Sequence, residues 1–123
     1  MSSMTTFKTL LREMNKQGGF LAATLSDMQG LCIAAAADVN YDLDVQSAVA
    51  ALIQKAARQL QSQLGMEQPD EITVRDMDGT RLVSRPFKAN GQELLLSVLI
   101  SDRQCYRRLT SQAIRNIQRE WRI

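Results

Sequence analysis

The chain has 123 residues, 45% of them hydrophobic and 23% charged, with a formal net charge of +2, two cysteines and no histidine. That length and apolar content suffice for one domain with a core of its own, needing neither metal nor disulfide. The missing histidine removes the commonest general base and metal ligand, and neither a Gly-rich phosphate loop nor a metalloprotease or hydrolase motif takes its place.

Thr6 is placed to cap a first helix starting at Phe7, with Phe7, Leu10, Leu11 and Met14 on one apolar face and Gly18 and Gly19 as its stop. Phe20 to Ser26 and Leu31 to Ala36 read as two strands joined by a tight turn over Asp27, Met28, Gln29 and Gly30. The alanines from Ala34 to Ala37 favour helix by propensity, but the turn and the following polar loop leave too little room for one. Asp38, Asn40, Asp42 and Asp44 copy the first ligand positions of a calcium loop. The copy fails at Leu43, where glycine is needed, and at Val49, where a bidentate glutamate belongs. Asp44 then caps the longest helix, which runs to Leu64 and closes at Gly65. Its stripe of Val45, Ala48, Val49, Leu52, Ile53, Ala56, Leu60 and Leu64 is assigned to the sheet, with Ala50, Ala51 and Ala57 as a small-residue shoulder for a second helix.

Ile72 and Val74 alternate with Thr73 and Arg75 as in a strand with one wet face. Asp78 and Gly79 turn the chain into Thr80 to Arg85, and Pro86 limits further pairing. Asn90 and Gly91 turn it again into Glu93 to Ile100, where Leu94, Leu95, Leu96, Val98, Leu99 and Ile100 describe a central strand covered on both faces. Burial of those six side chains contributes about 10 to 18 kcal/mol as an upper bound. Asp102 is placed to cap a last helix with Tyr106, Leu109, Ala113, Ile117 and Trp121 on one face. The order α-β-β-α-β-β-β-α with hairpin connections predicts an α+β domain over residues 1–123, a five-stranded, mostly antiparallel sheet sandwiched by helices.

Positive charge is local. From Arg103 onward six arginines face one acid, Glu120. Arg107, Arg108, Arg115, Arg119 and Arg122 form either a solvated helix face or an anionic-partner surface; with only Tyr106 and Trp121 near them, a base-stacking platform is poorly supported. Cys32 and Cys105 have no metal-ligand or redox spacing, and no basic start with an apolar run opens the chain, so the expectation is a cytoplasmic protein.

Taken together, these features resemble the Roadblock family, named for a dynein light chain and common in bacteria as partners of small Ras-like GTPases. Gly19, Ala22 and Ala23 match the glycine that ends the family's first helix and the small residues after it. Asp27 to Gly30 match its first hairpin, Gly79 its second, and Asp44 to Leu64 its Ala-rich middle helix. Ala22 stands where many members have a second glycine. The resemblance implies a homodimer with middle helices side by side and sheets joined across the third strand. An unprotected edge at Ile72 to Asp76 favours the same assembly. The expected interface is Ala50, Ile53, Ala57, Ile72 and Val74. The expected GTPase-binding residues are Gln54, Lys55, Arg58 and Gln61, in a non-catalytic regulatory scaffold without cofactor or metal. A small-molecule sensor, or a nucleic-acid module using the last helix, are the alternatives.

Overall fold

The computed structural model describes residues 3–38 and 40–121. Among them the elements follow the expected order: α1 (Ser3–Gly18), β1 (Ala22–Asp27), β2 (Cys32–Ala37), α2 (Leu43–Leu64), β3 (Ile72–Arg75), β4 (Arg81–Ala89), β5 (Gln92–Ile100) and α3 (Arg107–Glu120). The strands form one antiparallel sheet in the order β2-β1-β5-β4-β3. The long apolar run of β5 is therefore its centre, as the sequence predicts. Leu94, Leu95, Leu96, Val98 and Ile100 are buried, and only Leu99 is half-buried.

Helices α1 and α3 cover one face and α2 the other. The α1–α3 side holds the main core, built from Phe7, Leu11, Phe20, Leu25, Leu94, Leu96, Val98 and Ile117. Trp121 belongs to this core, stacked on Phe7 with ring centroids 5.4 Å apart.

Both ends of the sheet are turned by the same local chemistry. Asp27 Oδ1 accepts from the backbone N–H groups of Gln29 and Leu31, and Asp76 Oδ1 accepts from those of Asp78 and Thr80. Each aspartate organises its turn by imitating backbone acceptors, and a glycine three residues later supplies the positive φ: +90° at Gly30 and +92° at Gly79. Asn90 and Gly91, at φ 51° and 83°, close the β4–β5 hairpin with the two left-handed residues that its tight turn requires.

Several boundaries differ from expectation for identifiable reasons. Helix α1 begins at Ser3, leaving Thr6 inside it. Asp42, not Asp44, caps α2, its Oδ1 accepting from Val45 N at 3.1 Å, and Asp44 lies in the first turn. Asp102 does not cap α3, which starts after Tyr106; it pairs with Arg75 instead at 3.1 Å. Strand β4 continues through Pro86 to Ala89 because β3 pairs only as far as Ser84, so the missing proline N–H falls beyond that partner. Arg122 lies outside the described residues.

Candidate functional site

Helix α2 sits on the sheet by its least apolar side. Ser47, Ala50, Ala51 and Gln54 are buried against β1, β2 and β5. The sheet explains this orientation. Register places Ala35, Thr24, Ser97, Ser84 and Ile72 in one row across the strands, with Ala22 and Ser26 beside it on the same face. Small and hydroxylated side chains of this kind leave shallow room, and only small helix residues can approach. Gly30 marks the closeness: a Cβ there would lie 3.0 Å from Ala48 Cα. The layer is incompletely satisfied, since both amide atoms of Gln54 and the hydroxyls of Ser47, Thr24 and Ser26 are buried without partners.

The large apolar residues of α2 consequently face outward. Leu52 is 67% exposed and Leu64 68%, with Val45, Val49, Leu60 and Met66 also exposed. This reverses the assignment of that stripe to the sheet. Two of the expected contact residues are also corrected: Ala50 at 0% and Gln54 at 1% exposure lie beneath the helix, turned toward its own sheet. Ile53, Ala57, Gln61 and Ile72 are half-buried, and Lys55 and Arg58 are exposed. Lys55 stands on the flank of the helix away from β3, while Arg58 is tied to Glu93 at 2.7 Å. The outward face of α2 is thus apolar, with its cations at one side.

That face continues onto the sheet. Among the described residues strand β3 has a neighbour only in β4, so its other edge is open. Val74 is exposed, and an open groove between the end of α2 and β3 is lined by Ala57, Leu60, Met66, Pro69 and Ile72. A helix stripe, a groove and an unpaired strand edge adjoin in one largely apolar surface bordered by Glu67, Asp70 and Glu71, the pattern of a protein interface. The signal was present in the sequence: Thr24, Ser26 and Ser97 alternate with core residues on β1 and β5, so this face sets buried hydroxyls beside Leu95 and half-buried Leu99 in place of a continuous apolar layer.

The start of β3 is fastened to α3. Arg107 pairs with Asp70 at 2.7 Å and with Glu71, and Glu71 also accepts from the Tyr106 hydroxyl. Arg107 is therefore committed within the fold though exposed, leaving Arg108, Arg115 and Arg119 as the arginines of α3 without an ion pair among the described residues. Burial pushes the Glu71 carboxyl up, but hydrogen bonds from Tyr106, Arg107 and Thr73 outweigh it and hold the group below the ordinary carboxylate range. A carboxyl depressed in the folded state contributes stability above its unfolded pKa, and that contribution is lost as pH falls through the folded value. Glu71→Gln should flatten the acid side of the stability curve: its loss of melting temperature between pH 7 and pH 3 should be smaller than that of the parent. An unchanged pH dependence would show that the clasp does not titrate with folding.

Among the described residues no helix is long and apolar enough to cross a membrane, and no group of three or more His, Cys, Asp or Glu side chains is arranged to hold a metal. No family model and no curated protein matches the sequence. Solved structures do match in shape. The gliding protein MglB of Thermus thermophilus superposes with a TM-score of 0.81 at 17% identity, covering 98% of this chain and 91% of that one. Myxococcus xanthus MglB gives 0.74 at 17% identity, covering 97% and 94%. A Roadblock/LC7 domain from Streptomyces avermitilis gives 0.74 at 17% identity, covering 91% and 92%.

Proposed function

We propose that this chain, a protein of Roadblock fold, acts as a non-catalytic homodimeric scaffold that binds and modulates a small Ras-like GTPase. The carrying observation is the apolar surface formed by the outward side of α2 and the open edge of β3. Antiparallel pairing of two β3 edges about a two-fold axis would continue the sheet across the dimer and bring the two α2 helices together. Leu60, Leu64, Ile53 and Ala57 then meet their counterparts, while Val45, Val49 and Leu52 remain on the outer surface for the partner. Lys55 and Arg58 stand at its flank. The GTPase reading rests on the sequence pattern shared with Roadblock proteins and on the likeness in shape to MglB structures, one of which is described with a tetrameric arrangement.

No residue is assigned as an arginine finger. The scaffold modulates its partner by favouring one arrangement of the partner's own switch regions, through differential affinity for two states. The test is affinity capture from the source organism's lysate, in parallel with GDP and with a non-hydrolysable GTP analogue. A small GTPase enriched in one nucleotide state, and lost with Leu52→Glu, is the expected result. Absence of any GTPase from an intact dimer in both nucleotides overturns the partner reading.

A further inference from the structure

The edge of the sheet opposite β3 is β2, and its outer side too lacks a strand partner among the described residues. A groove of about 300 Å³ runs between β2 and α1, lined by Lys8, Arg12, Asn15, Ala36, Asp38 and Leu43 among others. Asn15 is only 3% exposed. Its Nδ2 donates to Ala36 O at 3.0 Å, which ties α1 to β2, whereas its Oδ1 is buried without a partner among the described residues. A buried amide oxygen with no donor costs about 1 to 3 kcal/mol.

Cations outnumber acids around the groove. Lys8, Arg12 and Lys16 recur at four-residue spacing along one flank of α1, all exposed, and none forms an ion pair among the described residues. Asp38 is the one acid lining the groove. The β2 side chains from Ala34 to Ala37 are single methyl groups, so another backbone can approach without displacing them.

We infer that the β2 edge receives an extended acidic segment of a partner protein as a sixth strand. Its backbone pairs with residues 34–38 and its carboxylates meet Lys8 and Arg12. Main-chain pairing gives the affinity and the cations give the choice of partner. A second copy of this chain is disfavoured on the same edge because its own Lys8, Arg12 and Lys16 would be brought toward these. The site lies at the opposite end of the sheet from the α2–β3 surface and does not depend on the GTPase reading.

The probe is a fluorescein-labelled octapeptide of alternating glutamate and valine, followed by anisotropy on the full chain. Saturable binding is expected, with the lysine-for-glutamate peptide not binding. Lys8→Glu/Arg12→Glu should weaken the acidic peptide at least about tenfold, because both changes reverse charges at the rim. Two further peptides, N-methylated on one or the other alternate set of amides, separate strand pairing from charge attraction: one set should lose binding at least tenfold. No saturable binding, equal binding of the lysine peptide, indifference to both methylations, or indifference to the double charge reversal each overturns the proposal. Loss of binding in Leu60→Glu/Val74→Glu with retention in Lys8→Glu/Arg12→Glu would place the peptide on β3 and overturn it equally.

Discussion

Replacing Leu60 and Val74 together by glutamate should convert a dimer into a folded monomer. Both side chains are well exposed in the single chain, at 38% and 49%, so neither change empties the core. In the proposed assembly both lie at the two-fold interface, and symmetry doubles every change: four new carboxylates enter an apolar contact, set against copies of themselves. Burying unpaired like charges costs several kcal/mol, so a dissociation constant raised at least about a hundredfold, near 3 kcal/mol, is a modest expectation. Sedimentation equilibrium at tens of micromolar decides it, and far-UV circular dichroism checks that the fold survives. The melting temperature should also lose its dependence on protein concentration, because association no longer stabilises the folded state. A variant that remains dimeric, or a parent chain that is monomeric under the same conditions, would remove the α2–β3 surface as the self-interface.

The sheet was legible because its signals are local. The Asp27 to Gly30 turn, the Asn90–Gly91 pair and the unbroken apolar run of β5 each restrict the backbone within a few residues, and the hairpin order makes β1–β2, β3–β4 and β4–β5 neighbours, whereas the β1–β5 pairing joins strands far apart in the chain. Even the alanines of β2, helix formers by propensity, adopt a strand because the turn before them hands the chain directly to β1. The orientation of α2 was not legible from α2 alone. An apolar stripe states that a face will be buried but not by what, and the deciding residues, Thr24, Ser26 and Ser97, lie on other elements. Gln54 shows the same limit from the polar side: taken as a surface contact, it is enclosed beneath its helix with both amide atoms unpartnered. Arg107 looked like part of a free basic face, yet its fold partners, Asp70 and Glu71, precede β3 far back in the chain. Long-range pairing of this kind leaves no periodic trace.

Arg85 is the residue least expected from the sequence, and its replacement should have the largest effect on stability. It lies on β4 opposite Leu96, between Val83 and Phe87 on the core face, and is 9% exposed. Nη1 donates to Thr110 Oγ1 at 2.9 Å and to Ser111 Oγ at 2.8 Å, so the guanidinium grips the first turns of α3, while Nε is buried without a partner. No carboxylate forms an ion pair with it among the described residues. Burial pulls its pKa down and the nearby Arg107 charge adds to that, against weaker support from Asp70 and Glu71. The aliphatic stem therefore fills core space under a charge that is costly to keep there. Arg85→Ala should lower stability by about 2 to 4 kcal/mol, since it opens a cavity and unseats α3. Arg85→Met keeps most of the stem and removes the buried charge, and should recover the greater part of that loss. Urea denaturation of the three proteins separates the two contributions. If methionine proves as damaging as alanine, the seat of α3 is held by the charged hydrogen bonds to Thr110 and Ser111 rather than by packing of the stem.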